Sequence, residues 1–352
     1  MDIAILGAGA AGQAIAAMLS WAGHSIALYN RTAARLDEIA AKGGIEVTKG
    51  PQTGLMRIQT LTSSVGTAVS QAEVIIIATQ AKAHSSLAKE LVPYVKDGQI
   101  ILLIPGSGGS LEVSRIFREM KVTCDMIVGE TSIVPFPARL RAPATVAIRV
   151  PAHPRIAALP ATDNEALFRQ ILRLFPVKPV AHVLEVALHN PNMIIHPGPF
   201  LLNYGEIERS QGHFSLMNEG MTEGVLSFMD ELDRERMNVC RELGFKPISI
   251  DNIYREFGSG PEVYREPGEP TGFRDSVHYR FIDEDVPFAL MLLSSVGRIL
   301  GTPTPLTDAI ISIASVLRKT DFRANGRGSE SLGIQGLTKE ELLCRLEFGN
   351  DS

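Results

Sequence analysis

The chain has 352 residues, which is longer than one comfortable hydrophobic core and predicts two domains. Its residues are 45% hydrophobic and 21% charged with a net charge of −5, which is typical of a globular protein and argues against nucleic-acid binding. No apolar run approaches the roughly 18 residues of a membrane span, and Cys124, Cys240 and Cys344 lack metal-site spacing, so we expect a cytoplasmic protein with reduced thiols, no metal and no membrane partner.

The first predicted element is a strand that runs into a glycine-rich turn. The apolar run Ile3–Leu6 is followed by GAGAAG at 7–12 and then by an alanine-rich helical pattern. In this order, successive glycines permit the turn, let the backbone approach a pyrophosphate, and let the helix pack on the sheet. The helix N-terminus adds unpaired N–H groups for phosphate. A glycine-rich turn without a ligand is the alternative. The residues predicted to bind a dinucleotide here are Gly7, Gly9, Ala10, Ala11 and Gly12.

The second predicted strand, Ser25–Tyr29, ends without the carboxylate that usually binds the adenosine ribose of NAD. Asn30 is neutral, and Arg31 can pair with a 2′-phosphate, helped by the Thr32 hydroxyl and by Arg35. The pattern favours NADP(H) and leaves NAD(H) open. The alternative is that both arginines are solvated residues at the start of a surface helix.

Strand and helix patterns alternate through the first half of the chain. Helical patterns at Arg31–Lys42 and Ala83–Val92 separate several of the apolar runs. This rhythm is typical of a parallel, doubly wound, Rossmann-type α/β sheet. The further strand-like runs are Val74–Ala78, Ile100–Ile104, Met126–Val128 and Thr145–Ile148.

Two loops follow predicted strands at what would be the carboxyl edge of the sheet, where open α/β folds bind ligands. Thr79 follows the third run, and Gly106 and Gly108 lie in the Pro-Gly loop after the fourth. We predict that all three residues contact the cofactor, and that Gly106 and Gly108 do so on its nicotinamide side. An ordinary strand-to-helix turn is the alternative for the Pro-Gly loop.

The pattern becomes mostly helical after about residue 182. Long amphipathic stretches occur at Met221–Leu243 and Pro287–Leu300, and Glu256–Arg274 is predicted to be a loop. We therefore predict a dinucleotide-binding domain over 1–182 and an all-α substrate domain over 183–352, with a substrate cleft between them. The helical domain leaves a homodimer open.

Two segments of the helical half concentrate polar residues among apolar ones. In the first, Asn192 and His196 are four apart and share one helical face, and imidazole is the natural proton carrier at neutral pH. In the second, Arg280 can hold a carboxylate, and Asp285 can orient an imidazole and raise its basicity. The alternatives are a structural histidine before proline and a solvated helix start with a local ion pair.

Seven short motifs lie along nearly the whole chain: GAGAAG at 7–12, PGSGG at 105–109, GETS at 129–132, NPNMIIHP at 190–197, YRFIDEDVP at 279–287, GTPTPLTDAI at 301–310 and GRGSESLG at 326–333. They resemble the motifs of the octopine/opine dehydrogenase family. The resemblance implies a two-domain fold and the NAD(P)H-dependent reductive condensation of an amino acid with a 2-oxo acid, often pyruvate. It implies His196 as the catalytic acid/base, Asp285 as its partner, Arg280 as a carboxylate clamp and Asn192 as a substrate-positioning residue.

The chain departs from the family pattern at the tip of the second strand, where several members carry an acid in place of Asn30-Arg31. Glu130 either approaches the amino substrate or caps the next loop. Two other functions stay open: a simple 2-oxo acid reductase on the same fold, and a non-catalytic NADP(H)-binding sensor. Ketopantoate reductases carry a catalytic lysine where this chain has Leu188, and no lysine occurs between Lys178 and Lys246.

Overall fold

The computed structural model describes residues 1–211, 213–256, 260–265 and 279–349. The chain divides into two compact units. The first unit comprises Met1–Val186 with the C-terminal Leu346–Gly349, and the second comprises the described residues from Ala187 to Arg345. The domain extents 1–182 and 183–352 stay a proposal, and the compact units place residues 346–349 with the first.

The first unit is built on an open sheet with helices on both faces. The sheet has the strand order β12-β11-β8-β7-β6-β1-β2-β5, and its neighbours are parallel except for β11, which runs antiparallel to β8. The strands of the unit are β1 Asp2–Leu6, β2 Ser25–Tyr29, β3 Ile45–Lys49, β4 Gly54–Met56, β5 Thr60–Thr62, β6 Val74–Ile77, β7 Ile100–Leu103, β8 Ile127–Thr131, β9 Ala138–Ala142, β10 Thr145–Ile148, β11 Arg155–Leu159 and β12 Lys178–Pro179. The helices are α1 Ala10–Trp21, α2 Ala34–Lys42, α3 Val65–Val69, α4 His84–Leu91, α5 Gly109–Glu119 and α6 Asn164–Ile171, with short 3₁₀ turns at Ala81–Ala83 and Ala161–Asp163.

The central strands are apolar on both faces because both faces are covered. In β1, Ile3 and Ile5 belong to one hydrophobic cluster, and Ala4 and Leu6 belong to a second cluster on the other side. Burial on both faces explains why such strands appear in the sequence as continuous apolar runs. The predicted Rossmann-type doubly wound sheet is confirmed.

One predicted strand belongs to a different sheet. Thr145–Ile148 lies in a separate four-stranded mixed sheet of order β4-β3-β10-β9, so its placement in the doubly wound sheet was wrong. It pairs parallel to β3 and antiparallel to β9. Strand pairing is set by distant partners, which a local apolar run does not identify.

The second unit is helical over its described residues, as predicted for the C-terminal domain. The predicted helix Pro287–Leu300 instead begins with a π-helical turn at Val286–Leu290 and continues as an α-helix over Met291–Leu300. Much of the predicted loop Glu256–Arg274 lies outside the described residues. The other helices are Asn192–Ile195, Pro197–Leu202, Tyr204–Ser210, Glu223–Glu242, Ile250–Glu256, Glu262–Arg265, Arg280–Asp283, Pro305–Arg318, Phe322–Asn325 and Lys339–Phe348, and Val183–Leu188 spans the division between the units. Across the described parts of the chain, none of the helices combines the length and apolar character needed to cross a membrane.

A buried ion pair fixes the start of the second unit. Arg236, which is 1% exposed, donates two hydrogen bonds to one carboxylate oxygen of Asp233, at 2.6 and 2.8 Å. It also donates to the carbonyls of Leu188 and Ile248, and the other Asp233 oxygen accepts from the Ile250 amide at 2.8 Å. The pair therefore ties the longest helix to the chain just before the polar segment that begins at residue 189.

We expect the variant Arg236→Met to lose about 3–5 kcal/mol of unfolding free energy, because it leaves the Asp233 carboxylate buried without its partner. Urea denaturation measures this loss. The matched control is Arg234→Met on the same helix, where Arg234 and Glu231 form an exposed pair at 2.6 Å that is worth about 1 kcal/mol or less. Equal losses in the two variants would contradict the role assigned to Arg236.

Candidate active site

The glycine loop of the first unit is closely packed at Gly7 and Gly12 and open at Gly9. Gly7 has φ of +121°, and a Cβ there would lie 2.6 Å from the Ala78 carbonyl oxygen. A Cβ on Gly12 would lie 1.7 Å from the Gly7 carbonyl oxygen, whereas a Cβ on Gly9 would meet no atom within 4 Å. The loop therefore needs glycine at its two ends for the fold, and the space at Gly9 fits an approaching pyrophosphate. Ala10 and Ala11 begin α1, directly after this space.

The tip of β2 is tied to the glycine loop by Asn30. Its side-chain oxygen accepts from the Ala8 amide at 3.1 Å, and its side-chain nitrogen donates to the Thr32 carbonyl at 2.9 Å. Arg35 reaches the Ala8 carbonyl at 3.5 Å. Arg31, Thr32 and Arg35 are all exposed. The neutral side chain of Asn30 thus holds the glycine loop, and the exposed Arg31 and Arg35 follow it in the sequence.

The two predicted loops do lie after strands of the parallel sheet, but they differ in character. The Thr79 hydroxyl, which follows β6, is buried and has no hydrogen-bond partner among the residues that the structure describes. A buried hydroxyl without a partner is costly, so Thr79 fits a position that a bound cofactor would satisfy. Gly106 and Gly108, which follow β7, are buried in a turn before α5.

The Gly106–Gly108 turn is held by Glu130, which is fully buried on β8. One carboxylate oxygen accepts from the Gly108 amide at 3.0 Å, and the other accepts from the amide and hydroxyl of Ser110, at 2.9 and 2.8 Å. A Cβ on Gly106 would lie 2.3 Å from the Glu130 Cβ. Of the two interpretations of Glu130, these contacts support the loop cap.

In the second unit, His196 and Asp285 meet although they are 89 residues apart. His196 Nδ1 lies 2.8 Å from Asp285 Oδ2, with side chains only 14% and 10% exposed. An ionised carboxylate can only accept, so it holds the Nδ1 proton and leaves Nε2 as the nitrogen that exchanges protons. The His196 ring also stacks on Phe281, with centroids 3.8 Å apart and planes at 17°. The histidine therefore has a defined tautomer and a defined orientation.

Asn192 and Arg280 lie on the two short segments that carry this pair. The His196 amide donates to the Asn192 carbonyl at 3.1 Å, which places both residues on the same helical turn. Arg280 precedes Phe281, is about half exposed, and donates through Nε to Glu284. Partial burial acts to lower the pKa of Arg280, but attraction to Glu284 and Asp285 outweighs it and raises the pKa. Arg280 is thus a permanent cation whose present partner is a carboxylate.

A second arginine near the pair had no signal in the sequence. Arg318 donates from Nε and a terminal nitrogen to the two oxygens of Asp283, at 2.8 and 2.9 Å. Its guanidinium carbon lies 4.1 Å from the centre of the Tyr279 ring. The hydrogen bonds to Asp283, with a smaller contribution from Tyr204, raise the pKa of Arg318. Phe281 was also missed, although it follows Arg280 directly. Arg318 lies outside the polar segments of the sequence, and Phe281 is apolar, so neither residue stood out as a site candidate.

The structure therefore supplies two sets of groups. The first unit has a glycine loop, a basic strand tip and a buried hydroxyl without a partner among the described residues, which together fit a nicotinamide dinucleotide. The second unit has a carboxylate-oriented histidine with an arginine and an asparagine on the same two segments, which suits proton transfer and carboxylate binding.

Two family models match the chain. The model described as "NAD/NADP octopine/nopaline dehydrogenase, alpha-helical domain" matches residues 179–318, and "Ketopantoate reductase PanE/ApbA" matches residues 3–147. Among solved structures, octopine dehydrogenase in complex with NADH and agmatine has a TM-score of 0.75 at 16% identity, covering 97% of each chain. NADP⁺-bound yersinopine dehydrogenase has a TM-score of 0.68 at 14% identity, covering 99% of this chain and 98% of that one. At such identities the likeness concerns the fold.

Sequence relatives cover almost the whole chain. Opine dehydrogenase of Arthrobacter sp. (strain 1C) is 36% identical over 98% of both chains. Vitopine synthase of Allorhizobium ampelinum is 24% identical over 88% of both chains. Considered with the fold, this similarity shows that the chain belongs to the opine dehydrogenase family, NAD(P)H-dependent oxidoreductases that act on CH–NH groups.

Proposed function

We propose that the protein condenses an L-amino acid with a 2-oxo acid, pyruvate in the first instance, and reduces the product to a secondary amine dicarboxylate. The observation that carries this proposal is the buried His196–Asp285 pair, with Nδ1 and Oδ2 2.8 Å apart. A sensor that only binds a dinucleotide has no use for such a pair beside a carboxylate-binding arginine. The family membership supplies the reaction class.

His196 manages the protons of the condensation. It accepts a proton from the substrate ammonium at Nε2, which frees the lone pair that attacks the carbonyl carbon of the oxo acid. It returns that proton to the carbonyl oxygen, and a second proton passes from the newly bonded nitrogen to the same oxygen, which leaves as water when the protonated C=N bond forms. Asp285 stabilises the imidazolium between these two steps. The bound nicotinamide supplies the hydride that reduces the C=N carbon.

Arg280 and Asn192 position the substrates in this proposal. Arg280 binds the carboxylate of the oxo acid, sharing or replacing its bond to Glu284. Asn192 is partly exposed, and its carboxamide makes no hydrogen bond to the described residues, so it is available to a substrate. Asn192 lies four positions before His196 and Arg280 lies five positions before Asp285, which limits where the reacting carbon can be held.

For the cofactor, we propose that NADP(H) binds in preference to NAD(H). Support comes from the tip of β2, where the neutral Asn30 is engaged with the glycine loop and the exposed Arg31 and Arg35 flank it. Thr32 adds a hydroxyl, and Thr79, Gly106 and Gly108 are proposed to contact the nicotinamide half. The pyrophosphate would lie over Gly9 and the first residues of α1.

We expect the purified protein to oxidise NADPH only when a 2-oxo acid and an L-amino acid are both present. The test follows NADPH absorbance with pyruvate, with and without a panel of L-amino acids. Consumption with pyruvate alone would establish a simple 2-oxo acid reductase instead. No consumption with any pair of oxo acid and amine would contradict the proposed reaction.

The variant His196→Ala should lower turnover by roughly 10²- to 10⁴-fold because the proton carrier is lost. Its affinity for NADPH, measured by fluorescence titration, should stay unchanged. The control is His213→Ala, an exposed histidine of the same unit, which should keep wild-type turnover. Full turnover in the His196 variant would refute its assignment.

The variant Arg31→Ala should weaken NADPH binding by about 10- to 100-fold, the value of a charge-assisted hydrogen bond of about 1.5–3 kcal/mol. NADH binding should change little because NADH lacks the 2′-phosphate, so NADH is the internal control. Isothermal titration with each dinucleotide measures the effect. An equal loss for both cofactors would mean that Arg31 does not read the 2′-phosphate.

A further inference from the structure

The segment 279–285 sets the position of His196 through two contacts. Phe281 stacks on the imidazole ring, and Asp285 accepts from its Nδ1. The helical part of this segment is the turn Arg280–Asp283, which is followed by the π-helical turn Val286–Leu290. The first turn of a helix lacks some of the backbone hydrogen bonds of the helix interior, so other contacts must keep it ordered. Contacts from outside the segment therefore help to hold it in place.

Arg318 contacts the segment at two points that bracket Phe281. Its guanidinium forms a two-bond fork with Asp283, two residues after Phe281, and lies over the ring of Tyr279, two residues before it. A planar fork fixes both the direction and the distance of its carboxylate partner.

The helix that ends in Arg318 is itself anchored at its other end. Its N-terminus meets the buried Glu235, whose oxygens accept from the Leu306 amide at 2.6 Å and the Thr307 amide at 3.0 Å. The same carboxylate accepts from the Thr307 hydroxyl at 2.8 Å. Both ends of this 14-residue helix therefore make directed bonds, and Arg318 extends from a rigid support.

We propose that Arg318 is a positioning residue for the proposed reaction: through Asp283 and Tyr279 it holds the 279–285 segment so that Phe281 and Asp285 orient His196. The inference rests on the proposed function, in which His196 carries the protons. Arg318 and Asp283 are 26% and 43% exposed, and such pairs add little to overall stability. Loss of Arg318 should therefore change the orientation of His196 more than the stability of the fold.

The first test is the steady-state kinetics of Arg318→Met. Its kcat should fall about 10- to 100-fold, the scale of a catalytic group displaced by about 1 Å, while the KM for NADPH and both substrates changes less than about twofold. Arg318→Lys keeps the charge without the fork and should recover part of the loss. Asp283→Asn should lose a similar amount, and the double variant Arg318→Met with Asp283→Asn should lose no more than the worse single variant.

Arg323→Met is the matched control. Arg323 pairs at 3.0 Å with Asp308, which lies on the same helix as Arg318, is 38% exposed, and makes no hydrogen bond or ion pair with the described residues 279–285, so the kcat of this variant should equal that of the wild type. A loss in Arg323→Met as large as in Arg318→Met would overturn the proposal, since any arginine–aspartate pair would then have the same effect. Wild-type kcat in a folded Arg318→Met protein would also overturn it.

The second readout does not depend on turnover. In the histidine-labelled protein, the downfield proton resonance of the His196 Nδ1–H, assigned by its absence in His196→Gln, reports the bond to Asp285. It should be lost or broadened in Arg318→Met and retained in Arg323→Met. If the wild type consumes no NADPH with any substrate pair, the proposed reaction fails, and this resonance still decides the positioning role. An unchanged resonance in Arg318→Met would overturn it.

Discussion

The second unit is organised around one hydrogen bond between a nearly buried imidazole and a nearly buried carboxylate. Removing two such groups from water is costly unless each satisfies the other. His196 and Asp285 meet this condition at 2.8 Å, on segments 89 residues apart in the chain. The short helices on either side and the π-helical turn that begins at Val286 allow these segments to approach. These helices hold His196 and Asp285 at the distance that their hydrogen bond requires.

The support extends outward in steps. Phe281 fixes the plane of the imidazole, and Arg280 beside it presents a cation toward Glu284. Behind them, Arg318 holds the segment from a separate helix, and Glu235 holds that helix at its far end. Each carboxylate accepts directed hydrogen bonds, so each fixes a position as well as balancing a charge. The proposed role of His196 as a proton carrier needs such support, because a proton-exchanging nitrogen must lie within hydrogen-bond reach, about 2.6–3.2 Å, of the atom with which it exchanges the proton.

The first unit follows a different constraint, which is steric. Gly7 and Gly12 are needed because a side chain would strike backbone atoms, and the loop they create stays open at Gly9. Steric constraints of this kind involve residues that are neighbours in the sequence, so the GAGAAG motif predicts the loop. The β1 strand, the loop and α1 form as predicted because their patterning is short-range and both faces of the sheet are covered.

Features that depend on contacts between distant parts of the chain were harder to predict from the sequence. The run Thr145–Ile148 reads as one more strand of the parallel sheet, yet it pairs in the separate sheet with β3 and β9. The pattern over Pro287–Leu300 predicts a regular helix, but the structure has a π-helical turn at Val286–Leu290. The sequence leaves two interpretations of Glu130 open, and its hydrogen bonds to Gly108 and Ser110 decide between them. For Thr145–Ile148 and for Glu130 the deciding partner is distant in sequence, and composition does not identify it.

The sequence by itself determined the dinucleotide loop, the α/β-then-α order and the identities of the polar residues at His196 and Asp285. These depend on periodicity, on glycine sterics and on motifs whose residues are neighbours. Only the tertiary structure decided that Phe281 stacks on His196 and that Arg318, 35 residues beyond Asp283, binds the same 279–285 segment. Contacts of this kind depend on packing between separate helices, and local patterning carries no record of which side chains that packing brings together.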